Sequence, residues 1–162
     1  MDEIVLRAQA KWPDVADVYG WLALDRRGQW LLRNPARASY EPIGNAALRE
    51  FIARNYSCDA RGRWFFQNGP QRVFVRLAYT PLVVRTRQTA FVDQCGRTFE
   101  SRTELLDDQG SLLLPGEDSV ALLDDRDLAS YAEARGEAIQ ALPRIEFSAV
   151  PARFGFVQDP QP

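Results

Sequence analysis

The sequence contains no histidine among its 162 residues and a single lysine, Lys11; the other 19 cationic residues are arginine. Without imidazole there is no Ser-His-Asp or Cys-His pair, because nothing in the chain can act as the general base. Zinc sites of the usual His-containing kind are excluded, and Cys58 and Cys95 cannot supply four thiolates. A phosphate-binding Walker loop needs Gly-Lys-Ser/Thr, and Lys11 sits in Ala10-Lys11-Trp12 with no glycine beside it. No Gly-x-Gly-x-x-Gly run occurs either. No cofactor and no metal site are expected. Apolar runs fall short of the roughly 18 residues a membrane span requires. The acidic start, Met1-Asp2-Glu3, lacks the positive charge of a secretory signal. These absences predict a cytoplasmic protein with free thiols, no membrane association and no familiar catalytic mechanism.

What is present is ordinary globular material. With 46% hydrophobic and 11% aromatic residues, a chain of this length can bury one sizeable core. The net charge of -2 hides a division along the chain: residues 1–90 carry 14 cations against 8 carboxylates, and residues 91–162 carry 6 against 14. The expected organisation is one domain over residues 1–157, with a basic half 1–90 and an acidic half 91–157, followed by a disordered tail at 158–162.

Four Asp-x-x-Gly sequences begin at Asp25, Asp59, Asp93 and Asp107, each next to an apolar run. An aspartate can accept the turn's amides while glycine takes the left-handed position, which is a hairpin signal. The first three lie 34 residues apart, but the text between them does not repeat. Repeated turn chemistry in a β-rich domain explains them better than a repeat array. Calcium loops are excluded, since the alternating Asp-x-Asp-x-Asp-Gly ligands are missing.

Helical signals occur at residues 2–12, at 45–56 behind the cap Asn45, and after Asp124, where Gly136 or Pro143 ends the third helix. About nine short strands are predicted. They include 72–79 with Arg72, Phe74 and Arg76 on one face, 82–87 with Arg85 and Arg87 together, and 144–150 at the end. The fold class is α+β, a single domain of largely antiparallel short strands with two or three helices.

Two segments together carry a family resemblance. They are Trp12-Pro13-Asp14-Val15 leading to Tyr19-Gly20-Trp21-Leu22, and Asn55-Tyr56 leading to Gly62-Arg63-Trp64-Phe65-Phe66-Gln67-Asn68-Gly69-Pro70-Gln71-Arg72-Val73. They resemble an uncharacterised proteobacterial protein family. The resemblance implies a bacterial single-domain protein and brings no activity, cofactor or catalytic residue.

The strongest constellation is an arginine stripe: Arg72, Phe74 and Arg76, with Arg85 and Arg87 if the two strands pair across Thr80-Pro81. Guanidinium suits carboxylate and phosphate through two parallel hydrogen bonds. Against that stands the plain reading, the solvated side of an antiparallel sheet. Acidic stretches at Glu104, Asp107 and Asp108, at Glu117 and Asp118, and at Asp124, Asp125 and Asp127 suit a metal or an acid/base pair. They suit turns and a helix start better. Trp64-Phe65-Phe66 requires either two covered sheet faces or an exposed aromatic patch. Cys95 beside Arg97 is a candidate activated thiol. The function expected is a non-catalytic module that binds a protein partner. The alternative is an anionic ligand such as RNA on the arginine and aromatic face, and the third reading is a carboxylate-based or metal-dependent enzyme.

Overall fold

The computed structural model describes all of residues 1–162. The fold is α+β, with four α-helices and two mixed sheets of short strands, and contacts divide this single domain into two compact units. The first comprises Met1–Asp25, Gln29–Ala78 and Phe156–Pro162; the second comprises Arg26–Gly28 and Tyr79–Gly155. No helix is long and apolar enough to cross a membrane.

In the first unit, α1 (Glu3–Lys11) precedes β1 (Val18–Leu24), β2 (Trp30–Asn34) and β3 (Ser39–Pro42). Then come α2 (Ala46–Arg54), β4 (Tyr56–Cys58), β5 (Trp64–Asn68) and β6 (Gln71–Leu77). The strand order is β3-β2-β1-β6-β5-β4, two antiparallel meanders joined by the parallel pair β1 and β6. Asn45 caps α2 by accepting the Leu48 amide at 3.0 Å. Phe51 of α2 then meets Phe66 edge-on at 5.3 Å, and Tyr56 lies between Trp30 at 4.9 Å and Trp64 at 4.8 Å.

The second unit contains β7 (Leu82–Arg87), β8 (Ala90–Asp93), β9 (Thr98–Phe99), β10 (Leu105–Asp107), β11 (Leu112–Pro115) and β12 (Val120–Leu123). They are followed by α3 (Asp125–Arg135), β13 (Arg144–Ile145) and α4 (Val150–Phe154). Its order is β13-β10-β11-β12-β7-β8-β9. Without β13 this is again two meanders joined by the parallel pairing of their first and last strands, β7 and β12. The two units thus share one topology. Strands β11 and β12 run fully buried from Leu112 to Leu114 and from Val120 to Leu123, which is why they lack polar alternation.

All four Asp-x-x-Gly turns have the same construction. The amide of each aspartate donates to the carbonyl four residues on, at 3.1, 3.0, 2.9 and 3.0 Å for Asp25, Asp59, Asp93 and Asp107. The closing glycines have φ of 73°, 73°, 79° and 82°. Each aspartate carboxylate accepts the amide four residues on, and in the last three turns it accepts the amide two residues on as well. The spacing of 34 residues has no structural meaning, because those turns join β1 to β2, β4 to β5 and β8 to β9. The topologically equivalent turns are those at Asp59 and Asp107, each joining the first two strands of a second meander.

The structure differs from the sequence reading in several places. Residues 144–150 do not form one strand: β13 has two residues, Phe147–Ala149 is a 3-10 turn, and α4 follows. Asp108 accepts the Phe147 amide at 2.7 Å, and Pro151 begins a helix comfortably, so the apolar alternation there does not decide the conformation. Gly136 ends α3, and a 3-10 segment continues to Ala141. Residues 158–162, expected as a free tail, are tied to the first unit: the Leu77 amide donates to the Gln158 carbonyl at 2.7 Å and Pro160 is buried. Grouped by unit, the charge division largely disappears. The first unit has 10 cations and 9 carboxylates, the second 10 and 13, so +1 and -3.

The Asp107 carboxylate is fully buried and holds the Tyr79 hydroxyl at 2.8 Å besides two amides. Replacing Asp107 with alanine is expected to cost roughly 3–5 kcal/mol, against about 1 kcal/mol for the less buried Asp25. Urea denaturation of the two variants measures the difference.

Candidate functional site

A kink in β1 begins the site. Gly20 has φ 72°, and the pairing of β1 with β6 shifts register between Val18 and Leu22. The kink turns Tyr19 onto Phe74, ring on ring at 4.8 Å and 10°. The neighbouring strand brings Phe65 edge-on to Phe74 at 5.8 Å. Two guanidinium groups cover these rings: Arg63 lies 4.4 Å from Phe74 and Arg72 lies 4.9 Å from Phe65. Phe65 and Phe74 are 5% and 1% exposed, so their faces are closed by arginine rather than offered to a ligand.

Arg63 is locked from two sides. Its Nε donates to Asp59 Oδ2 at 2.8 Å and its Nη1 to the Tyr19 hydroxyl at 3.3 Å. Burial by itself raises the Asp59 carboxyl, but hydrogen bonds from the Arg63 amide and side chain, with that from Arg61, outweigh it and hold it below the ordinary range. Arg61 is exposed at the tip of the same turn. A recess of about 490 Å³ lies among Cys58, Asp59, Arg61, Arg63, Phe65 and Arg72. A second, of about 640 Å³, lies against Arg72, Gln9, Pro70 and the segment 13–17. Arg72 is the wall common to both.

The strand pairing that would join Arg72, Phe74, Arg76, Arg85 and Arg87 in one stripe does not occur. Strands β6 and β7 belong to different sheets. A strand has two edges, and those of β6 are taken by β1 and β5, so none remains for β7. Arg72, Phe74 and Arg76 stay together in the first unit, with Arg76 exposed and 3.8 Å from Asp159. Arg85 grips the Asp127 carboxylate with two hydrogen bonds, at 2.7 and 2.6 Å, and Arg87 is exposed beside it. Two residues of the arginine and aromatic face, Arg63 and Tyr19, escaped the sequence reading. The signal for Arg63 was its alternation with Phe65; nothing marked Tyr19, whose position depends on the kink at Gly20.

The acidic stretches are occupied by the fold. Asp124 caps α3 and pairs with Arg126, Asp125 accepts two bonds from Arg27, and Glu104 binds Tyr131 and Arg135. Trp64, Phe65 and Phe66 have cover on both sheet faces, from Tyr56, Arg72 and Phe51. Neither thiol is activated. Burial, then the nearby Asp59, pushes Cys58 up to about 11; burial, then Asp93, pushes Cys95 up to about 12 against the pull of Arg97.

Comparison with known proteins follows the same lines. Residues 1–161 match the family DUF2944, described as "Protein of unknown function (DUF2946)". The chain belongs to this family. An uncharacterised family was expected from the two segments quoted above, and the match extends that likeness to the second half of the chain. No curated protein matches. A solved structure of a DUF1285 family protein from Silicibacter pomeroyi DSS-3 is similar with a TM-score of 0.51 and 13% identity, over 72% of this chain and 69% of that one. It shows the fold alone. Another DUF1285 family protein, from Shewanella baltica OS155, aligns with a TM-score of 0.47 and 17% identity, over 69% of this chain and 90% of that one. The family description and both neighbours leave the function unassigned.

Two measurements check the site's chemistry. Both cysteines are expected to react far more slowly at pH 8 than a free cysteine with a thiol-reactive dye. The Asp127 carboxyl is held below its ordinary value by the Arg85 hydrogen bonds, with burial opposing and the Thr86 amide adding to the effect. Its stabilising contribution is therefore present above the unfolded carboxyl value and lost as pH falls through the lower folded value. Asp127→Ala is expected to cost about 2 kcal/mol at pH 7 and progressively less as pH falls through the lowered folded value, by denaturation at each pH.

Proposed function

We propose that this protein is a non-catalytic interaction module that captures an acidic protein partner on the arginine and aromatic face of its first unit. The observation that carries the reading is the fixing of Arg63 and Arg72 on the rings of Phe74 and Phe65 beside the exposed Arg61. A cation held in place by a ring loses little conformational freedom on binding, so more of each charge-assisted hydrogen bond reaches affinity. The closed faces of Phe65 and Phe74 favour a carboxylate-bearing partner over RNA, whose bases need open rings to stack on. A cytoplasmic location is part of the same proposal, supported by two free thiols.

Chemical-shift titration of the full chain with a glutamate-rich peptide tests this. Saturable binding is expected, centred on residues 58–74 and weakened about tenfold or more by the combined Arg61→Ala and Arg72→Ala substitutions. No saturable shift at low salt, or an unaffected double variant, overturns the reading. Tighter binding of a single-stranded RNA of matched charge transfers the face to nucleic acid.

A further inference from the structure

The second unit contains a different recess, of about 270 Å³, lined by Arg26, Arg27, Ser111, Leu122, Leu123 and Leu128 among others. Its floor is apolar, made by the two buried leucines of β12 and by Leu128 of α3. Its rim is polar and already organised. Arg26 donates from Nη2 to the Ser111 hydroxyl at 2.7 Å and lies 4.9 Å from the Tyr79 ring and 5.7 Å from that of Phe147. Those rings are themselves stacked at 4.3 Å, so the guanidinium rests on a fixed platform. Its partners are a hydroxyl and two rings, none of them anionic. The nearby Asp107 accepts from the Tyr79 hydroxyl and from the amides of Gln109 and Ser111, which hold it in its turn. Asp125, the carboxylate on the rim, is neutralised by two hydrogen bonds from Arg27 at 2.9 and 2.7 Å.

One preorganised cation above an apolar floor describes a site for a molecule with one negative end and a short apolar body. The volume lies just under the roughly 300 Å³ at which pockets for drug-sized ligands begin, which suits a small molecule. We infer that this recess binds a small monocarboxylate, with its carboxylate on Arg26 and the Ser111 hydroxyl and its hydrocarbon body on Leu122, Leu123 and Leu128. The site uses no residue of the arginine and aromatic face and does not depend on the function proposed for it.

Hexanoate and benzoate are the probes, with hexanamide as the uncharged control, titrated into the full chain and followed by amide and methyl chemical shifts. Saturable shifts are expected at Arg26, at Gln109–Ser111 and at Leu128, with hexanamide about tenfold weaker. Arg26→Met keeps the hydrocarbon stem over the rings and is expected to abolish the preference for the carboxylate. Leu128→Trp leaves the cation in place, fills the recess and is expected to block both carboxylates, which keeps the test valid if the Arg26 variant folds poorly. Arg72→Ala, in the first unit, is expected to change nothing. Absence of saturation, an undiminished preference in Arg26→Met, or unchanged binding to Leu128→Trp overturns the proposal.

Discussion

In four hairpins an aspartate carboxylate accepts backbone amides that the turn would otherwise leave without partners, and a left-handed glycine lets the chain fold back within reach. That contact sets where each pair of strands starts, and hence which residue faces which across the hairpin. Asp59 shows how much follows from it. One oxygen closes the turn between β4 and β5; the other holds Arg63 above Phe74. Asp107 does the same in the second unit, closing its turn while anchoring Tyr79, on whose ring Arg26 rests. In each unit the feature available for binding is thus an extension of a turn.

The shared topology of the two units adds a second constraint. Each sheet joins two meanders through a parallel pair, so its central strands have no free edge. A chain leaving β6 therefore finds no place beside it, and β7 pairs in the other sheet. Thr80 and Pro81 suit that break, since Pro81 offers no amide and the Thr80 hydroxyl turns back onto the Leu82 carbonyl at 2.7 Å. The arginines of residues 72–87 are divided at this point.

Nearly exclusive use of arginine gives the cations two distinct roles. Arg27, Arg85, Arg126 and Arg135 are bound to carboxylates in the α3 region and stabilise the second unit. Arg26, Arg63 and Arg72 lie on aromatic rings, where a flat, weakly hydrated cation stacks well. The roles cannot be told apart from the residue type. They depend on which carboxylates and rings the fold brings within reach, and Arg63 has both, Asp59 at 2.8 Å and Phe74 at 4.4 Å.

Much of the local structure was legible in the residues themselves. Asn45 announces α2, the four Asp-x-x-Gly runs announce their hairpins, and alternation announces β6 and β7, because caps, turns and pleats act over a few residues. The missing histidine removed familiar catalytic arrangements without any structure. Of the candidate face, Arg72 and Phe74 were visible as alternation, whereas Tyr19 was hidden by the kink at Gly20. Strand order, the joining of Arg26 to Ser111 and Tyr79, and the charge of each unit involve residues far apart in the chain, 85 positions in the case of Arg26 and Ser111. These were decided by tertiary structure alone. Pairing of distant strands is set by which edges are free and which faces must be buried, and no local pattern in the chain encodes that.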